Sequence, residues 1–350
     1  MKRSFQIGSA FVGLIVGAGF ASGQEVMQYF TSFGMWGLFG GILATLLFMF
    51  LGYTFAQIGA DLQSISHKSV IYYIGGRYIG AILDILITFF LFGVAVVMFA
   101  GAGSTFEQMF GIHTTVGSII MVVLTILTLL LNTKRIINLI AVITPYLITI
   151  IFIILLYSIF TMDVSFSEAD ILAKKEPSAA ANWVLGAFLY VSYNLAAGAA
   201  LLIVLSGLTK DRKIAGRGGL LGGLMLGSLI VLIHLGMFVK MDVVAGLDMP
   251  TLALANEVHP AVGILMAIAL LGMMYNTAVG MFYSFTVRFI TPESKLFKVA
   301  VVVIGLLGFL ASRVGFTTLV NEVYSAMGYL GFALIIAAVI AWFRKRPMAK

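Results

Sequence analysis

The sequence predicts an all-α membrane protein whose ten transmembrane helices form a five-plus-five inverted repeat. Three observations carry this expectation. The 350 residues are 61% hydrophobic and only 10% charged, with a mean hydropathy of +1.10, whereas soluble domains carry about 25% charged residues. Ten apolar windows are long enough to cross a bilayer, which takes roughly 20 residues. Two segments of the first half also recur in the second, five crossings later.

So little charge cannot cover a water-facing surface, which excludes a soluble enzyme and a nucleic-acid binder. The net charge of +7 reads instead as lysines and arginines gathered on one side of a membrane. With no cysteine there is no disulfide, thiolate nucleophile or zinc–thiolate site. The histidines at 67, 113, 234 and 259 are far apart and form no His-x-x-x-His pair.

The windows fall near 5–30, 35–60, 80–106, 114–132, 136–160, 182–207, 218–240, 260–287, 297–312 and 319–343. The first is too long for a signal peptide and holds Gln24 and Glu25 where a cleavage region needs small neutral residues, so it is read as retained. Residues 1–160 then form the first five-helix repeat and 182–350 the second. Residues 161–181 are an extracellular loop with a short interfacial helix. With both termini in the cytoplasm, seventeen basic residues lie inside and four (Lys174, Lys175, Lys240 and Arg313) outside. An odd number of helices would spoil that split.

The repeat is short but specific. Leu14-Ile-Val-Gly-Ala-Gly-Phe-Ala-Ser-Gly23 lies over Leu189-Tyr-Val-Ser-Tyr-Asn-Leu-Ala-Ala-Gly198, with four of ten positions identical. Gly37-Leu-Phe-Gly-Gly-Ile-Leu43 lies over Gly219-Leu-Leu-Gly-Gly-Leu-Met225 in the following helices. Five crossings is an odd number, so the second copy is inverted, the architecture of many secondary transporters. Glycine-rich helices that look alike because small residues pack closely are the competing explanation.

Helices 1 and 6 are expected to be interrupted. In helix 1, Gly17, Gly19 and Gly23 fall within seven residues near mid-span. Glycine weakens a helix, and freed backbone groups find no water in a bilayer, so the break should line a cavity. Ser22 and Glu25 have capping-box spacing, which predicts a new helix starting at Ser22. Its amides would suit a carboxylate, and carbonyls from Gly17 to Ala21 would face a cation. Helix 6 sets Tyr190, Ser192, Tyr193 and Asn194 mid-span; either they line the same break or they hydrogen-bond between helices.

Glu25 either closes the capping box or serves as a proton carrier or cation ligand. Asn276 and Thr277 in helix 8 either complete a sodium site or bond between helices, and Ser284 lies nearer the inner end. Asn321, Glu322, Tyr324 and Ser325 open helix 10 as an outer gate or an interfacial start. Asp84 reads as a partner for an inner-side base, and His234 as a helix-contact histidine.

Val16-Gly-Ala-Gly-Phe-Ala-Ser-Gly-Gln-Glu25 resembles the YkvI-type family of bacterial putative amino-acid permeases, a family similar to the amino acid–polyamine–organocation superfamily with its LeuT-like fold. The resemblance implies a multi-pass protein of the bacterial cytoplasmic membrane, with substrate held between helices 1 and 6 and facing helices 3 and 8. By the same resemblance, the substrate carboxylate meets the helix 1 break and the amino group meets helix 6 carbonyls. The matching positions are Gly17, Ala18, Gly19, Phe20, Ala21, Ser22 and Gly23, with Ser192, Tyr193 and Asn194. Relatives place sodium between helix 1 carbonyls and two adjacent helix 8 hydroxyls. Here Asn276-Thr277 stands in that place, and Glu25 makes a proton a rival coupling ion.

The leading expectation is therefore an ion-coupled secondary transporter of amino acids or similar small zwitterions, needing no cofactor beyond Na+ or H+. A passive channel or facilitator and a transporter-fold ligand sensor are the alternatives. No His-Glu-x-x-His, Gly-x-Ser-x-Gly or Walker motif is present, so neither an enzyme nor an ATP-driven pump is expected.

Overall fold

The computed structural model describes residues 2–63, 67–131, 136–162, 164–209, 211–291 and 294–344. Lys134, Arg135, Lys210 and the residues after Arg344, on which part of the charge asymmetry rests, lie outside the described residues. So do the side chains of Lys68, Arg77 and Asp84.

The first window is three helices: α1 (Lys2–Ile15), α2 (Ala18–Ala21) and α3 (Gln24–Tyr29). A 3-10 turn, Thr31–Phe33, leads into α4 (Trp36–Asp61). Then follow α5 (His67–Phe110), α6 (Thr114–Leu131), α7 (Ile136–Phe160) and the short α8 (Phe166–Ala173) in the expected loop. The second half holds α9 (Trp183–Thr209), α10 (Arg212–Phe238), α11 (Met241–Val244), α12 (Pro250–Val258), α13 (Pro260–Thr286), α14 (Lys295–Ser312) and α15 (Phe316–Arg344). Five described segments are long and apolar enough to cross a membrane: α4, Ile87–Phe110 of α5, α10, α13 and α14. Shorter apolar helices cover Thr114–Leu130, Ile148–Phe160 and Trp183–Ala196. This is a multi-pass helical membrane protein.

Helix starts follow local chemistry. Asp211 accepts from the amides of Lys213 (2.8 Å) and Ile214 (3.0 Å) at the head of α10. Ser294 caps α14 through Leu296 N at 3.1 Å, and His259 caps α13 ahead of Pro260. Helix α5 begins well before its apolar window. No apolar window anticipates α11 and α12, which make up the connection between α10 and α13.

The closest packing is between α4 and α10. A side-chain carbon on Gly52 would sit 2.7 Å from the Gly219 carbonyl oxygen, and one on Gly219 would sit 2.1 Å from that of Gly52. Each glycine thus lets the other helix's backbone approach. Of the two, Gly219 belongs to a repeated segment, and its packing role is what the competing explanation of the repeat required.

One expectation fails. Helix 6 is not interrupted: α9 runs unbroken from Trp183 to Thr209. Its mid-span polar groups are satisfied without opening the backbone. Ser192 Oγ donates sideways to the Gly328 carbonyl on α15 at 2.7 Å. Asn194 Nδ2 donates one turn back to the Tyr190 carbonyl at 3.0 Å. No glycine or proline lies between Ala187 and Ala197 to weaken the helix.

Candidate functional site

The first break lies at Val16-Gly17, between α1 and α2. Gly17 is extended, at φ −99° and ψ −173°. Four residues of α2 follow, and the chain turns again at Gly23, whose φ of +82° lies in the left-handed region that favours glycine. Ser22 Oγ spans this second joint, donating to Gly19 O (2.7 Å) and accepting from Gln24 N (3.2 Å). The new helix thus starts at Gln24, two residues later than expected. The capping box is not closed, because Glu25 turns away from Ser22.

Glu25 instead lies against α2 and reaches α9. A side-chain carbon on Gly19 would sit 2.1 Å from Glu25 Oε1, so the absence of a side chain there makes room for the carboxyl. Tyr193 donates its hydroxyl proton to Glu25 Oε2 at 2.6 Å. The Tyr193 ring stacks on Tyr324 of α15, centroids 4.9 Å apart and planes 19° apart. Tyr29 and Tyr190 pack beside Tyr193 at 5.7 and 5.3 Å.

Gly19, Glu25, Tyr193 and Tyr324 form one end of a cavity of about 440 Å³. Of the expected site residues, Gly17, Ala18, Gly19, Glu25, Tyr193, Asn194, Asn276 and Thr277 line it. Phe20, Ala21, Ser22, Gly23, Tyr190 and Ser192 are buried behind the lining. The Ala21 carbonyl already accepts from Thr251 Oγ1. Sequence reasoning missed Phe90, Val94 and Met98 of α5 and Met273 and Met281 of α13 as lining residues. They are apolar side chains in apolar spans, so nothing local marks them. Tyr324, expected at a gate or interface, is in the cavity wall because α15 begins at Phe316 and carries it inward.

The two ends of the cavity differ. Glu25, Tyr193 and Tyr324 are buried, whereas Gly13 and Gly280, toward the end of the bundle that carries the chain termini, are exposed. The opposite end is sealed by hydrogen bonds. Asp248, ahead of α12, accepts from Ser104 of α5 (2.6 Å) and from Thr317 of α15. Thr317 also accepts from Gln24 Nε2 (3.2 Å) and, through its carbonyl, from Gln28 Nε2 (2.9 Å). Thr251 N donates to Ser22 O at 3.1 Å. Farther out, α8 is tied to the start of α4, where Asp170 accepts from Met35 N (2.9 Å) and Lys174 (2.6 Å). The Lys174 hydrogen bond, with the Met35 amide, holds the Asp170 carboxyl below the usual carboxylate range. His234 is buried and bonded to Thr31 Oγ1 at 3.1 Å, a helix contact as expected.

No family model matches the chain. It is 26% identical over 333 residues to the uncharacterized membrane protein YkvI of Bacillus subtilis, covering 94% of this chain and 93% of that one. It is 32% identical over 137 residues to the uncharacterized protein YyaD of the same organism, 39% of each. Among solved structures it is similar to Mhp1 in an inward-facing conformation (TM-score 0.60, 16% identity, 99% of this chain and 78% of that one). A Na+-coupled sialic acid symporter in an outward-open state gives 0.60 at 14% identity, over 96% and 79%. A manganese transporter of Eremococcus coleocola gives 0.59 at 18%, over 97% and 78%. All three neighbours are transporters by name. The protein is thus a multi-pass membrane protein similar to YkvI along almost its whole length, with the LeuT-type fold.

Proposed function

We propose that this protein is an ion-coupled secondary transporter of amino acids or similar small zwitterions, working by alternating access. The observation that carries the reading is the broken first helix set in a 440 Å³ cavity that is sealed at one end only. A passive facilitator needs no such one-sided seal. The neighbour named as a symporter supports the same reading.

In this reading the chain crosses the membrane ten times, residues 1–160 and 182–350 being inverted repeats joined by the extracellular loop 161–181. Both termini are cytoplasmic, so the structure is the inward-open form. Substrate meets Gly17, Ala18 and Gly19 on one side and Tyr193 and Asn194 on the other. Phe20, Ala21, Ser22, Gly23, Tyr190 and Ser192 shape the wall from behind.

For the coupling ion, Gly17, Asn276 and Thr277 line one cavity and can offer oxygens to sodium. Glu25 in the same cavity supports a proton as the rival. Uptake into proteoliposomes under an imposed sodium or proton gradient separates them. Sodium-driven accumulation that Thr277→Val and Asn276→Leu abolish supports the first; proton-driven accumulation that Glu25→Gln abolishes supports the second. Equilibration down a substrate gradient with no response to either ion gradient overturns secondary transport.

A further inference from the structure

Helix α9 is continuous, so the carbonyls that a broken helix would offer to a substrate's amino group are engaged within the helix. The Tyr190 carbonyl receives Asn194 Nδ2 as well. At the end of α1, the Val12 and Ile15 carbonyls accept from Val16 N (2.8 Å) and Gly17 N (2.7 Å). An ammonium group that would have met these carbonyls therefore needs a different partner.

Glu25 is the one acidic side chain among the described residues lining the cavity, and no lysine, arginine or histidine is among them. It is 5% exposed and makes no salt bridge among the described residues. A carboxylate withdrawn from water without a cationic partner is costly, and an entering cation that pairs with it offsets that cost. Its surroundings suit a cation on a small organic solute. The paired rings of Tyr193 and Tyr324 stand beside the carboxyl, and aromatic faces attract ammonium groups. Met98 and Met273 supply adaptable apolar walls for a side chain.

We propose that the Glu25 carboxylate, held by the Tyr193 hydroxyl between Gly19 and the Tyr193–Tyr324 ring pair, receives the substrate's ammonium group. The cavity then takes amines that are neutral or positive overall and excludes solutes whose only charge is negative. This rests on the preceding functional reading only in supposing that a solute enters the cavity.

The test is calorimetric titration of the purified full chain in detergent, at pH 7, with no flux involved. The probes are the common amino acids, the amines made from them by removing the carboxylate, and the acids made by removing the amino group. The expected result is binding by at least one amino acid and its amine, with the matching acid weaker by on the order of 100-fold. Glu25→Gln should remove that preference while the protein elutes as a single folded species. Tyr193→Phe, which keeps the ring and loses the hydroxyl, should reduce the preference by about tenfold. An acid that binds as tightly as its amine, Glu25→Gln with unchanged amine affinity, or no amine in the panel that binds would each overturn the proposal. Counterflow of a bound probe in liposomes is measured separately. Amine binding without flux would leave the ammonium site standing and remove the transport reading.

Discussion

The first helix and the sixth align in sequence, yet one is broken and the other is whole. Both carry small or polar residues at mid-span, and both border the cavity. The segment Gly17 to Gly23 holds only the single turn of α2 between two breaks: glycines remove both the side-chain packing and the conformational restriction that favour a longer helix. Ser22 and Thr251 then take up freed backbone groups. The segment Tyr190 to Asn194 has polar side chains on residues that tolerate a helix, with partners one turn back or on α15. Side-chain polarity at mid-span therefore marks a cavity wall or a helix contact, whereas clustered glycine marks the break. The two helices contribute differently to the site as a result, backbone and Glu25 from the first, the Tyr193 hydroxyl and Asn194 amide from the sixth.

The most disruptive test of this contrast is Gly19→Leu. A side chain there collides with the Glu25 carboxyl and must drive it off the Tyr193 hydroxyl into the cavity, so ligand-induced thermal stabilisation should vanish while the protein still elutes as a folded species. Retained stabilisation would place the binding site elsewhere.

Next in size is the seal. The chain has no native cysteine, so a single Met98→Cys reports cavity access cleanly. Asp248→Ala removes the acceptor that joins α5 to α15, and should raise maleimide labelling from the loop-bearing side at least severalfold. Unchanged labelling would show that the helices, and not this carboxylate, keep that end shut.

Thr251→Val strips the hydroxyl from the buried Ala21 carbonyl, and should cost about 1–3 kcal/mol, read as a lower midpoint of thermal unfolding. Ser192→Ala on the unbroken helix leaves the Gly328 carbonyl with its own helical bond, and should cost only about 1 kcal/mol. A larger loss from Ser192→Ala than from Thr251→Val would reverse the assignment of which helix depends on side-chain support.

The smallest effect concerns the strap formed by α8. The Asp170 carboxyl is held below its ordinary range by Lys174, so its contribution is complete at neutral pH, above the unfolded-state value. It fades as pH falls through the lowered folded-state value. Protection of the amides in residues 166–173, taken against the intrinsic exchange rate at each pH, should therefore fall below about pH 4, and Asp170→Asn should show the low protection at every pH. Equal rates in both proteins at pH 7 would show that the strap does not depend on this contact.

The sequence by itself determined the membrane environment, the positions of the long apolar helices and the break in the first of them. Each follows from residues close together in the chain: apolar length, capping residues, and three glycines in seven positions. It also singled out Glu25, Asn276 and Thr277, because polar groups inside an apolar span need partners. Only the tertiary structure decided what those partners are. Glu25 has capping-box spacing but spends its carboxyl on Tyr193, 168 residues away, since Gly19 opens a path toward α9 that no local pattern encodes. Helix 6 stays whole because α15 supplies Gly328 to Ser192. The apolar walls at Phe90, Met98 and Met273 became visible only once α5 and α13 were packed around the break, because an apolar residue facing a cavity and one facing lipid obey the same preference in the sequence.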